Sequence, residues 1–179
     1  MSGRNYTVDE LDRWQEWFNR LDDPGPYHAP SYLDVLAGEF EYESESPELF
    51  VYGDKDSFVY YPYIRRDLSS LPFADDVLDT PASYSDIVSS WYYGGPLLSP
   101  AADLSLAEEF ADAFGEYCTK TGIVSEFIRF DPNVENHQSF KRLNPTHNRQ
   151  TVPVDLEQTK DQIWDGYEDR NQRAIKQAK

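Results

Sequence analysis

The sequence predicts a mixed α and β fold, on three observations. Two segments carry helical periodicity behind capping-box spacings, two β-rich runs are split by a short polar turn, and an alternating strand follows the strongest helix. At 179 residues the chain matches one domain of about 100 to 200 residues, and its 15% aromatic content supplies large side chains for a core.

The elements follow in order. Thr7 and Glu10 have capping-box spacing, and Leu11, Trp14, Phe18 and Leu21 then share one stripe, which predicts a helix stopped by residues 22–26. A shorter helix is expected from Pro30 or Ser31, turning Leu33, Leu36 and Ala37 inward. The acidic run EFEYESESPE at 39–48 reads as a solvated loop, with Phe40 and Tyr42 able to begin an edge strand. ELFVYG and SFVYYPYIRR form a hairpin about residues 54–56, and Pro62 argues for an edge position or a bulge. A Ser-, Pro- and Asp-rich loop at 69–83 leads into YSDIVSSWYYGGPL. SLAEEFADAFGEYCTKTG is the clearest helix, with Ser105 and Glu108 as its capping box. Leu106, Phe110, Ala113, Phe114 and Tyr117 form its apolar face, and Gly122 is its stop. IVSEFIRF at 123–130 then reads as a strand, DPNVENHQSF as a loop, TVPVDL at 151–156 as a short strand, and residues 158–179 as helix-prone.

Composition excludes several classes. Cys118 is the only cysteine, so no internal disulfide, CxxC pair or cysteine cluster for zinc exists, and His28, His137 and His147 are scattered. No metal site is expected. Cys118 lies one residue from the helix face, as a half-buried structural thiol would. No apolar run approaches the roughly 18 residues of a membrane span, and MSGRNYTVDE lacks the basic and apolar parts of a signal peptide, which predicts a cytoplasmic protein. With 33 acidic and 16 basic residues the net charge is −17, which repels polyphosphate and argues against free nucleic acid as a partner. Arg exceeds Lys, Asp exceeds Glu, and the acids run along the whole chain instead of gathering in one tail, which suits either a halophilic protein or an ordinarily acidic one, with the halophilic reading favoured. It predicts looser structure at low ionic strength.

Three features stand out as candidate chemistry. SSWYYGGPLLSP, at 89–100, sets Trp91, Tyr92 and Tyr93 before the Gly94–Gly95 pair, which suits either a tight corner between strands or one wall of a substrate site. In IVSEFIRF, Val124, Glu126, Ile128 and Phe130 alternate with Ser125, Phe127 and Arg129, and a strand well inside the sheet would bury the Arg129 guanidinium. Its partner is then an internal carboxylate, Asp86 or Asp131, or the anionic group of a substrate. Arg170, Arg173, Lys176 and Lys179 make the C-terminus locally basic, where they also complement a helix dipole. Asn171, a weak helix former among stronger ones, suggests a specific hydrogen bond.

Taken together, DIVSSWYYGGPL, IVSEFIRFDPNVEN, TVPVDL and RNQRAIKQAK, in that order, resemble the N-terminal half of the FemAB-like branch of the GNAT acyltransferase superfamily, relatives of the enzymes that add amino acids to peptidoglycan precursors. The resemblance runs from about Leu11 to the last residue. It implies a single GNAT-like domain over residues 1–179, with a twisted, mostly antiparallel sheet flanked by helices, and a second such domain supplied in cis or by a partner chain. It implies N-acyl transfer to an amine of a cell-envelope or glycan precursor, with this chain binding the acceptor. Tyr93, Gly94 and Gly95 would form a wall, Arg129 an anion clamp, and Arg170, Asn171 and Arg173 the junction with the second domain. The glycine loop that holds coenzyme A in the superfamily has no counterpart here. No cofactor is therefore expected on this chain alone, while acyl-CoA or aminoacyl-tRNA would serve the full-length protein. A non-catalytic binding domain or a truncated gene product is the alternative.

Overall fold

The computed structural model describes residues 2–39, 45–78, 84–90 and 92–178, with the side chains of 37–39 excepted. The chain divides into two units, residues 1–146 and 147–179.

The first unit is built on a six-stranded sheet. β1 (Gly3–Thr7), β2 (Glu45–Gly53), β3 (Phe58–Asp67), β4 (Ser85–Val88) and β6 (Ile123–Phe127) lie side by side in that order, and β5 (Leu97–Leu98) also pairs with β3. Every pairing between the described strands is antiparallel except β4 with β6, which are parallel and joined through helix α4 (Leu104–Thr121). The mostly antiparallel sheet with flanking helices is the coarse architecture expected from the sequence.

Alternation along β2 and β3 explains the two cores. Phe50, Tyr52, Val59, Tyr61 and Tyr63 face α4, where they meet Leu106, Phe110, Phe114 and Phe140. Leu49, Val51, Phe58, Tyr60 and Ile64 face the other way, onto Trp14 of α1 (Leu11–Phe18) and Leu33 and Leu36 of α2 (Pro30–Glu39). Both faces are covered, so these strands read as continuous apolar runs instead of alternating ones. The hairpin turn is held by Asp54, whose Oδ1 accepts from the N–H groups of Asp56 at 2.9 Å and Ser57 at 3.0 Å. Gly53 takes φ +122 beside it, and an added Cβ there would collide with the Ser57 carbonyl.

Several expectations are corrected. β1 was not foreseen; it is five exposed or half-buried residues whose pairing among the described residues is entirely with β2. β2 starts at Glu45, inside the run expected to be a loop, while Phe40 and Tyr42 lie outside the described residues. Pro62 belongs to a central strand, neither at an edge nor in a bulge. It falls in the interval between the residues of β3 paired with β5 (Val59 and Tyr60) and those paired with β4 (Ile64 to Asp67), where a missing N–H costs no ladder bond on that flank. The loop at 69–83 contains a short helix, α3 (Ala74–Val77), and its residues 79–83 lie outside the described set. The cap of α4 is Asp103, not Ser105: its side chain accepts from the N–H groups of Ser105 and Leu106, at 2.9 and 3.2 Å. Gly122 ends that helix in the left-handed conformation, as its position suggested.

The second unit holds two helices where one helix-prone run was expected. α5 (Lys160–Asp165) opens on a capping box of Thr159 and Gln162, and the chain breaks at Gly166 before α6 (Asp169–Gln177). The Gln172 side chain joins them by donating to the carbonyls of Trp164 and Tyr167, at 2.9 and 3.3 Å. TVPVDL is not a strand. Val152, Val154 and Leu156 are exposed, and the segment pairs with no strand among the described residues.

Candidate functional site

The aromatic and glycine segment runs from the end of β4 to β5, so it is a corner between two strands in the literal sense. Its backbone is stapled from three directions. Asn136, 5% exposed, donates through Nδ2 to the carbonyls of Gly94 at 2.9 Å and Pro96 at 3.1 Å, and its Oδ1 accepts from the N–H of Asp131 at 3.1 Å. Ser89 Oγ accepts from the Arg129 N–H at 3.0 Å, and the Gly94 N–H donates to the Arg129 carbonyl at 2.9 Å. His28, fully buried, sits 3.2 Å from the Gly95 carbonyl through Nε2. Ser90 Oγ donates to the Tyr93 carbonyl.

This packing leaves little room for a side chain at either glycine. Gly95 has φ +93, and a Cβ there would lie 3.0 to 3.1 Å from Ile128, Phe130 and Asn136. At Gly94 it would lie 3.0 Å from the Cβ of Ser89. Both residues are buried. The carbonyl oxygens of the pair are therefore engaged within the protein, and the surface of the corner is made by its tyrosines. Tyr27 packs against Tyr32, Tyr92 and Tyr93 with ring centroids 5.6, 5.9 and 5.5 Å apart, and Tyr92 is 58% exposed. Trp91 lies outside the described residues.

A carbonyl only accepts, so His28 Nε2 must carry the proton and Nδ1 is left bare; it has no hydrogen-bond partner among the described residues. Tyr60 donates to the His28 carbonyl at 3.1 Å and fixes its backbone. Burial pushes the imidazole below the ordinary 6.5, against the opposing pull of Asp131 and the carbonyls of Gly95, Pro24 and Gly94. The folded protein thus holds His28 neutral where the unfolded chain would protonate it. Its contribution to stability is complete above pH 6.5 and is lost as pH falls from there toward the lowered folded value. Urea titrations at pH 7.5 and 5.5 are expected to show the wild type losing stability at the lower pH and His28→Gln losing less. An equal loss in both proteins would remove this role from His28.

Arg129 differs from expectation. β6 ends at Phe127 and lies at the end of the sheet, with Phe127 60% and Val124 55% exposed, so Arg129 is neither on a strand nor buried. The strand's alternation could not reveal that its outer flank is open. The guanidinium reaches the Tyr92 carbonyl at 3.3 Å. Of its two expected carboxylates, Asp86 is gripped by Arg66 through two hydrogen bonds, of 2.8 and 2.5 Å. Asp131 is buried and accepts from the Asn133 N–H at 2.9 Å.

Tyr93, Gly94, Gly95 and Arg129 are brought together in the first unit. Arg170, Asn171 and Arg173 are on α6 of the second, all exposed. Arg173 Nε donates to the Asp169 carbonyl one turn back at 3.2 Å, and the Asn171 side chain makes no hydrogen bond among the described residues.

Two polar clusters were missed by sequence reading. Glu48 Oε2 accepts from Asn5 at 3.0 Å, Tyr63 at 2.9 Å and Tyr117 at 3.4 Å, and Arg65 approaches Oε1 at 3.7 Å. Tyr61 donates to Glu126 at 2.6 Å. Although Glu126 is exposed as a residue, its carboxyl lies against the buried Tyr61 hydroxyl, and the loss of water there raises it above the usual carboxylate range. Its own burial pushes the Cys118 thiol up to about 12, which keeps it in the protonated, weakly nucleophilic form at neutral pH. No group of three or more potential metal ligands occurs among the described residues, and none of the described helices is long and apolar enough to cross a membrane.

No protein-family model, characterised protein or solved structure matches the chain.

Proposed function

We propose that the chain is the acceptor-binding part of an N-acyltransferase, taking an amine-bearing molecule at the tyrosine surface of the glycine corner. One observation carries this reading: Arg129 is rooted by hydrogen bonds at both its N–H and its carbonyl, and its exposed side chain reaches the backbone carbonyl of Tyr92, whose ring belongs to the Tyr27, Tyr92 and Tyr93 cluster. A cation with a fixed root next to flat amphipathic faces suits an acceptor that carries both an anionic group and an apolar or glycan body. Acyl transfer to an amine needs no covalent nucleophile. The amine attacks the activated acyl carbon, the leaving group departs, and the amine's proton passes to a carboxylate or water. The GNAT and FemAB likeness of the four sequence segments, the mostly antiparallel sheet with flanking helices, and the protonated Cys118 all agree with that chemistry. In the same reading Arg170, Asn171 and Arg173 of α6 belong to the junction with a second GNAT-like domain, in cis or on a partner chain, and that domain holds the donor, acyl-CoA or aminoacyl-tRNA.

Arg173→Ala tests the proposal. In the full-length gene product, with labelled acyl-CoA or aminoacyl-tRNA and an extract of small amines as acceptors, the variant is expected to lose transfer by about a hundredfold with an unchanged melting curve. Loss of folding with retained specific activity would make the arginine structural. The absence of transfer from the wild type with either donor would remove the reading.

A second reading is a non-catalytic interaction domain. It is favoured by the engagement of the Gly94, Gly95 and Pro96 carbonyls within the corner and by the open flank of β6 with exposed Phe127.

A further inference from the structure

At the opposite end of the sheet from β6, a groove of about 320 Å³ lies between β1, α1 and the β2–β3 turn. Its walls follow from two periodicities. Arg4 and Tyr6 are two apart on β1 and share a face, while Arg13, Trp17 and Arg20 follow at helical spacing along α1 and the turn after it; Lys55 projects from the hairpin. Four of the chain's 16 basic residues thus line one groove, whereas among the described residues Glu16 is its one acidic wall.

On so acidic a protein a cation would ordinarily stand near a carboxylate. Arg13 does, in a pair with Glu16 at 3.1 Å, but Arg4, Arg20 and Lys55 form no ion pair among the described residues. Gathering them costs mutual repulsion that an anion in the groove would relieve. The aromatic wall is fixed as well. Trp17 donates through Nε1 to the Tyr6 hydroxyl at 3.2 Å and meets the Phe58 ring edge-on at 4.9 Å. The Arg20 guanidinium is held 6.0 Å over the indole while donating to the Lys55 carbonyl at 3.1 Å.

We infer that this groove is a binding site for a small phosphate ester carrying a flat ring, of the nucleoside mono- or diphosphate class. Arg4 and Lys55 take the phosphate oxygens by charge-assisted hydrogen bonds. The ring packs on the surface made by Trp17 and the Arg20 guanidinium. Glu16 offers the acceptor for a sugar hydroxyl or an exocyclic amine. The volume is at the small end of ligand pockets, about 300 to 1,000 Å³, which suits a nucleotide and not a polymer. The net charge does not oppose this, because screening confines surface potentials to about 10 Å at 0.1 M salt and the nearest charges decide the local field.

Isothermal titration of the whole chain with ADP, inorganic phosphate and adenosine as probes tests the inference. ADP is expected to bind at least about tenfold more tightly than either of the others, and more weakly as salt rises. Arg4→Ala with Lys55→Ala removes two exposed side chains and should leave the circular dichroism spectrum unchanged while weakening ADP about a hundredfold, near tenfold per lost contact. Lys141→Ala with Lys160→Ala, which removes the same charge elsewhere, should leave ADP affinity unchanged. No heat with ADP, phosphate or adenosine binding as tightly as ADP, or equal weakening by both double variants would each overturn the assignment.

Discussion

Phe110→Ala is expected to lower the stability of the first unit by about 4 kcal/mol, within the range for a fully buried phenylalanine. Phe110 has no exposed surface, and its ring meets Phe50, Tyr61, Phe114 and Phe140 at centroid distances of 5.5 to 6.2 Å. Its removal therefore opens a cavity between α4 and the sheet where rigid rings on every side limit collapse. The loss shows as a fall in the melting temperature of roughly 8–16 °C by circular dichroism. A loss below about 1.5 kcal/mol in urea titration would mean that α4 repacks and that the ring cluster is less tightly interlocked than its geometry indicates. Phe110→Leu should recover more than half of the difference, since most of the volume returns.

Asn136→Ala carries the second large effect, about 3 kcal/mol. The asparagine makes three hydrogen bonds with backbone groups, and alanine leaves the Gly94 and Pro96 carbonyls and the Asp131 N–H without them in a region where water enters poorly. Asn136→Asp keeps one acceptor but cannot donate to two carbonyls when ionised, and should be at least as damaging at pH 7 as alanine. The consequence reaches the tyrosine surface. With the corner released, the Gly94 N–H no longer holds the Arg129 carbonyl in register, so any ligand of that surface should weaken together with stability. Urea titration and ligand binding on the same preparations test the coupling. A stable Asn136→Ala protein with intact binding would show that Ser89 and His28 suffice to hold the corner.

The parts of the fold visible in the sequence are those whose cause is local. The α1 stripe as far as Phe18, the Asp54 turn, the stop at Gly122 and the apolar face of α4 each arise within a few residues of one another and stand where they were expected, although α1 ends before Leu21 and the expected stop at 22–26. What depended on distant partners was hidden. β1 is polar, and only its register with β2 makes it a strand. Asn136 reads as one more loop residue in DPNVEN until Gly94 and Pro96, some 40 residues earlier, are placed beside it. His28 carried no signal beyond the glycine and proline before it. Arg129 was expected to be buried because alternation reports which residues share a face, and says nothing of whether that face or flank is covered. The capping residue of α4 was displaced by two positions because Asp103 and Ser105 are both good caps, and the backbone conformation at Asp103 decides between them.

The sheet's order also implies an order in time. β2 and β3 are neighbours through a turn of four residues, 54–57, and can pair as soon as that turn forms, on a timescale of about microseconds. Each end of the sheet must instead wait for a long closure. Asn5 of β1 meets Glu48 of β2 across 43 positions, and β6 reaches β4 only after α4 has crossed over. Closing such loops costs entropy before any contact rewards it. The hairpin is therefore expected to be the part around which the chain assembles, with β1 and β6 the last to join. In the native protein the same hierarchy should run in reverse, with amide hydrogens of the outer strands expected to exchange through partial openings that leave the β2–β3 ladder closed. The groove on β1 and the corner beside β6 lie at the two ends of the sheet, both on late-joining strands, so a ligand at either one would slow exchange at its own end and leave the middle unchanged.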